Sequence, residues 1–250
     1  MNLFRDWLPT FILFLFGFFL WEISVKILDI PDWLLPAPSQ IIVELLNSFT
    51  LLLKHSQVTV KEILFGLTVS LILAFSLSIA ISWSSIINKA VFPFVIASQI
   101  IPIFTLAPLI VVWFGTGISS KIVVVVLFTF FPVVITTVNG LKSSDKVMVD
   151  MFKTLGANKL QIYLKLYIPG ALPQIFSGIK VASVMAVIGA VIGEWIGSSA
   201  GLGWLIKLSG PQFKTERVFA SIFALSVIAI ALYLFTILLE KFILRRYPKN

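Results

Sequence analysis

Four stretches of this chain contain no Asp, Glu, Lys or Arg: residues 63–88, 90–120, 122–141 and 218–239. Hydrocarbon about 30 Å thick is crossed by roughly 20 residues of helix, so each run is long enough to span a bilayer with its backbone hydrogen bonds satisfied internally. Composition supports the same conclusion: 12% of residues are charged and the mean hydropathy is +1.06, where a soluble domain carries about 25% charge. The pattern predicts an all-α integral membrane protein. A fifth run, residues 7–21, continues past Glu22 and predicts a helix from about Trp7 to Leu28. Asp6 stands beside Arg5 and no small-x-small site follows, so this end reads as a retained span rather than a cleaved signal.

A sixth span is expected over residues 175–196, although Lys180 and Glu194 lie inside it. They are 194 − 180 = 14 residues apart, about 21 Å of helix rise. Lys180 can snorkel to one surface, which leaves Glu194 near the other edge or facing a wet interior. Gly178, Ala182, Ala186 and Ala190 line one face at four-residue spacing, and Gly189, Gly193 and Gly197 line another, a pattern that predicts close helix packing. Six spans put both termini on one side. With the termini inside, that side holds 12 of the 19 Lys and Arg, concentrated in the loop 142–174 and the tail, so the positive-inside rule predicts cytoplasmic termini.

Several function classes are excluded. The chain has no Cys and a single His, His55, so thiolate chemistry and a clustered metal site are out, and no cofactor is expected. The net charge of +8 is spread between apolar runs rather than gathered in a basic patch, which argues against nucleic acid. No G-x-x-x-x-G-K-[ST] string is present, so the chain cannot hydrolyse ATP alone. No nucleophile and base pair is apparent, and Ser82–Ser85 reads as a helix end; the chain is not expected to be an enzyme. An ion-coupled secondary transporter is the rival class, with Glu194 as its one intramembrane carboxylate candidate.

Two connections are longer than packing needs. Residues 29–58 begin with Pro31, Pro36 and Pro38 and continue as a mildly amphipathic segment, Ser39 to Lys54, expected to lie on the outer surface. Residues 142–174 contain Met148, Met151, Phe152, Leu155, Ile162, Tyr163 and Leu166 near helical spacing, opposite Lys153, Asn158, Lys159, Gln161 and Lys165; this predicts a short amphipathic helix or helix pair ended by Pro169 and Pro173. A helix lying on the inner membrane surface and a docking helix both fit that pattern.

The stretch from Asp150 through Gly156 to Leu166-Tyr167-Ile168-Pro169 resembles the signature of ABC-importer permeases, in which Glu-Ala-Ala is followed by three residues, Gly, nine residues, then Ile-x-Leu-Pro. Asp150 replaces the Glu, Met151 and Phe152 replace the alanines, and Leu166 and Ile168 are conservative swaps. Ile101–Gly117 and Gly193–Ile206 are similar to permeases of the nitrate, sulfonate, taurine and thiamine-precursor importers, and Ser183–Trp195 looks more like the hydroxymethylpyrimidine-type and riboflavin-type members than the taurine ones. The resemblance implies a type I importer fold, with a first helix and outer segment over 1–58 and a permease core over 59–250. It implies a bacterial inner-membrane location. It also implies a cytoplasmic ABC ATPase dimer contacted through Asp150, Phe152, Leu155, Gly156, Ala157, Leu166, Ile168 and Pro169, an extracytoplasmic solute-binding protein, and a second permease copy. A Gly at 156 is expected to admit a close backbone approach. Pro102 and Pro108 free backbone carbonyls in the third run, which fits either a translocation path or a simple kink. With Glu194, which could be a gate contact or an anchor, they are the path candidates. The turn at Gly197–Gly203 is expected to face the binding protein. Spans carrying Ser98, Thr105, Thr129 and Thr136 but no basic group favour a near-neutral heterocycle, such as a pyrimidine thiamine precursor, over a sulfonate or nitrate.

Overall fold

The computed structural model describes residues 3–245, with side chains from residue 8 onward; the expected basic tail beyond Arg245 and the pair Arg5 and Asp6 lie outside the described side chains. Among the described residues, five helices are long and apolar enough to cross a membrane: α1 (Leu3–Ile27), α3 (Phe49–Trp83), α6 (Ile118–Lys142), α9 (Ile168–Gly197) and α11 (Thr215–Leu244). A sixth crossing is made if α4 (Ser85–Ser98) and α5 (Ile103–Phe114), bent by 99°, count as one broken span. At 14 and 12 residues they reach only about 21 and 18 Å, so neither crosses alone. Pro102 stands at the break, as the residue that caps α5, where its missing N–H costs nothing. The other α-helices among the described residues are short: α2 (Pro38–Asn47), α7 (Lys146–Thr154), α8 (Lys159–Ile162) and α10 (Leu202–Ser209).

The centre of the bundle is α6 against α9, with α3 laid across both. Val124, Val125, Val133, Val134 and Val138 of α6 are fully buried, and the small residues of α9 let the backbones approach. A Cβ on Gly189 would stand 3.0 Å from Val125 Cα, and one on Gly193 3.3 Å from Lys121 Cα. Gly178 meets Thr136 in the same way, and Gly66 of α3 meets Val125. Both small-residue faces therefore serve helix packing, as expected. Near the α7 end, Lys180 is bound to Glu240 of α11 at 3.0 Å rather than snorkelling freely. α1 is peripheral; Glu22 ties its end to α2 by accepting from Ser39 N at 3.0 Å and Ser39 Oγ at 2.8 Å.

Three expectations are corrected. The amphipathic outer segment does not run from Ser39 to Lys54: α2 stops at Asn47, and α3 starts at Phe49 rather than near residue 63. The charged and polar residues Glu62, Thr59 and His55 are inside the bundle, so the helix tolerates them within its length. Pro169 and Pro173 do not end a helix. Pro169 occupies the first turn of α9, where a backbone donor is dispensable, and α9 runs on through Pro173.

Candidate functional site

The loop between α6 and α9 is built as two capped helical turns. Asp145 opens α7 by accepting from Val147 N at 2.9 Å. Gly156 closes it: with φ +79, its N–H reaches Lys153 O at 2.9 Å while Ala157 N reaches Phe152 O at 3.0 Å, the paired bonds of a Schellman cap. Asn158 and Gln161 then cap α8 reciprocally, at 2.8 and 2.9 Å. Nothing else in the described chain lies within 4 Å of a Cβ at 156, so within this chain the glycine serves the left-handed backbone, and the space beside it is open.

The signature residues divide into two groups. Asp150, Leu155 and Gly156 face outward, and Val147, Met151 and Leu155, at 72, 55 and 73% exposure, give α7 an uncovered apolar side. Phe152 and Ala157 are half-buried beneath it. Leu166, Ile168 and Pro169 are half-buried where the loop joins α9, and Ile168 packs against the cluster of Leu141, Tyr163 and Ala171. The join is a π-helical turn, Tyr163–Tyr167, whose Tyr163 hydroxyl meets Ser82 Oγ at 2.8 Å; Lys159 adds a bond to Trp83 O at 3.0 Å. The loop is thus fastened to the end of α3 and continuous with α9. Ser82–Ser85 is the helix end that was expected, with Ser84 capping α4 through Ile87 N.

At the opposite end of α9 lies a buried polar clamp. The turn after Gly197 places four successive amides at the start of α10, and side chains of α3 and of the end of α9 accept all of them. Gly201 N donates to His55 Nδ1 at 3.0 Å, Leu202 N to Thr59 Oγ1 at 2.9 Å, Gly203 N to Glu194 Oε2 at 2.5 Å, and Trp204 N also to Glu194. Helix N-termini leave such donors orphaned, and here tertiary structure satisfies them. Gly201 has φ +105, and a Cβ there would overlap the Glu194 carboxyl. Glu194, in the last turn of α9, is fully buried, with Oε1 bound to Thr59 and Oε2 to Gly203 N. Beside it sit Glu62, 3% exposed, and Lys121, 2% exposed, whose Nζ donates to the carbonyls of Thr116, Gly117 and Gly197.

Reading the sequence for uncharged runs missed Glu62 and Lys121, although both delimit those runs. A charge that ends an apolar run ordinarily marks a surface, whereas these two lie inside. Pro102 and Pro108 are exposed on the broken pair while Glu194 is buried in the clamp, so the three path candidates occupy different settings. The hydroxyls of Ser98, Thr105, Thr129 and Thr136 each donate to a carbonyl three or four residues back. Lys121 is committed to carbonyls and is not open to a solute.

Residues 66–248 match the family of binding-protein-dependent transport system inner membrane components. The chain belongs to this family. It is 41% identical to the formylaminopyrimidine transport permease protein ThiX of Halalkalibacterium halodurans over 89% of this chain and 88% of ThiX. It is 33% identical to the riboflavin transport system permease protein RibX of Chloroflexus aurantiacus over 95% of this chain and 89% of RibX. With the taurine transport system permease protein TauC of Escherichia coli it shares 28% identity over 86% and 80%. The family has the type I ABC permease fold, and the chain is a multi-pass membrane permease of an ABC importer for small solutes. Such a permease works with a solute-binding protein and with ATP hydrolysis in a separate subunit.

Proposed function

We propose that this permease carries a pyrimidine thiamine precursor or a similar small heterocycle from its binding protein to the cytoplasm, as one of two identical copies around a path at their interface. The termini and the α7–α8 loop face the cytoplasm, which agrees with the 12 of 19 basic residues expected on that side. The observation that carries the reading is the α7 loop itself. It exposes Val147, Met151 and Leu155 to solvent, yet caps at both ends hold its shape and a continuous helix joins it to the bundle. An apolar surface kept rigid in this way suits a protein partner, here one ATPase per copy. Asp150, Phe152, Leu155, Gly156 and Ala157 form that contact, and Leu166, Ile168 and Pro169 position it.

The substrate reading is supported by the 41% identity to ThiX. Pro102 and Pro108 mark the flexible wall of the path, and Glu194 acts on it by anchoring the turn rather than by touching solute. The test is uptake into vesicles holding permease, ATPase and binding protein. A formylated or hydroxymethylated aminopyrimidine and riboflavin are compared with taurine, an alkanesulfonate and nitrate, each with and without ATP. Heterocycle uptake that requires ATP is expected. Preference for any of the three anions overturns the substrate, and uptake without ATP overturns the coupling.

A further inference from the structure

The clamp holds two carboxyl groups and one ammonium, and counting their hydrogens assigns a state to each. Lys121 Nζ faces three carbonyl oxygens, which consume all three donors of an ammonium, where a neutral amine would have two; this residue is the cation. Thr59 has one hydroxyl hydrogen. Its two acceptors are Glu194 Oε1 at 2.6 Å and His55 O at 3.2 Å, and the shorter contact takes the hydrogen, while the hydroxyl oxygen accepts from Leu202 N at 2.9 Å. Glu194 therefore receives the Thr59 hydroxyl, Gly203 N and Trp204 N, which is the environment of an ionised carboxylate. His55 Nδ1 accepts from Gly201 N and so carries no proton on that nitrogen. Lys207 of α10 is turned away, onto Trp195 O.

Glu62 is the remaining member. Its carboxyl lies within hydrogen-bonding reach of Glu194, and its Oε2 is buried with no protein partner. Two carboxylates cannot bond to each other without a hydrogen between them, and a second buried anion would leave the group one charge out of balance. We propose that Glu62 is a proton-binding site: it is held as the carboxylic acid, donates to Glu194, and leaves a neutral triad of Lys121, Glu194 and Glu62 that fastens the Gly197–Gly203 turn to α3, α6 and α9. The loop anchor thus requires one bound proton as well as the side chains. Glu62 and Lys121 are positioning residues here, since neither touches the turn's amides. The inference does not depend on which solute is carried.

Infrared spectroscopy of the full-length permease in lipid bilayers at neutral pH reads this directly. The native protein should show one carboxylic-acid C=O stretching band that shifts in D2O. Glu62→Gln should remove that band, leave carboxylate absorption unchanged, and keep the melting temperature near the native value, because the amide N–H still donates to Glu194. Lys121→Met removes the cation and should double the acid band as Glu194 also takes a proton. Absence of an acid band in the native protein overturns the proposal, and this holds even where a variant fails to fold. Loss of carboxylate rather than acid absorption in Glu62→Gln overturns it, as does an unchanged acid band in Lys121→Met.

Discussion

Gly156→Ala separates two reasons for a glycine in the α7 loop. The residue sits at φ +79 with nothing of its own chain within 4 Å of a Cβ, so alanine meets no steric overlap and only conformational strain. An L-residue with a side chain in that region costs about 1–2 kcal/mol. The loop is exposed and can relieve this by releasing the two bonds that close α7, Gly156 N to Lys153 O and Ala157 N to Phe152 O. A partner that recognises the closed form must then restore them, and the same 1–2 kcal/mol weakens its binding by about 5- to 30-fold. Asn tolerates the left-handed region, so Gly156→Asn should lose much less. Titrating the ATPase onto permease in nanodiscs measures both, with Gly156→Trp as a bulky comparison that also blocks approach. Equal losses for Asn and Ala would refute the conformational argument and return the glycine to a close-approach role. No loss in any of the three variants would refute the docking assignment altogether.

Topology can be read because the chain has no native Cys: Ser143→Cys should react with an impermeant thiol reagent only from the cytoplasmic face and Ser199→Cys only from outside, both side chains being exposed. Gly201→Ala should destabilise the permease by about 2–5 kcal/mol, adding left-handed strain to overlap with the Glu194 carboxyl, while Gly210→Ala, at negative φ with open space around it, should leave the melting temperature unchanged. Burial opposes charge on Glu44 of α2, but hydrogen bonds from Ser48 and Arg217 and the Arg217 charge outweigh it and hold the carboxyl below its ordinary 4.5. A lowered folded value means that this contact stabilises above that pH and is lost as pH falls through and below it; the loss is at most about 1 kcal/mol, and thermal unfolding at pH 7 and pH 4 should show less acid sensitivity in Arg217→Gln.

The spans were legible because hydrophobic runs report lipid contact and length, and the packing face of α9 was legible because small residues at four-residue spacing have few other uses. The helix ends were less so. In the part of α3 from Phe49 to Glu62, His55, Thr59 and Glu62 point into protein while Lys54, Gln57 and Lys61 are exposed, and hydropathy cannot tell a buried polar face from a wet one. The α7 loop could be read from amphipathic spacing and from the position of Gly156, but the reason for that glycine required its backbone angle. The clamp was nearly invisible: Glu62, Lys121 and Glu194 come from three helices, and no spacing rule along the chain connects residues that meet only after folding. Glu194 stood out because it interrupts an apolar run, whereas its partners hid at the borders of theirs.

The continuity from α8 through the π-helical turn into α9 makes Lys159–Gly197 a single rod of 39 residues. One end holds the outward loop and the other holds the clamped turn. The α9 part alone is 30 residues, roughly 45 Å long, so pivoting it by about 5° at one end sweeps the other through roughly 4 Å. Tyr163–Tyr167 is the joint where such a push can be taken up, since a π-helical turn is the least regular piece of the rod. A force delivered at the loop would act through this joint on α9, as leverage along one continuous helix.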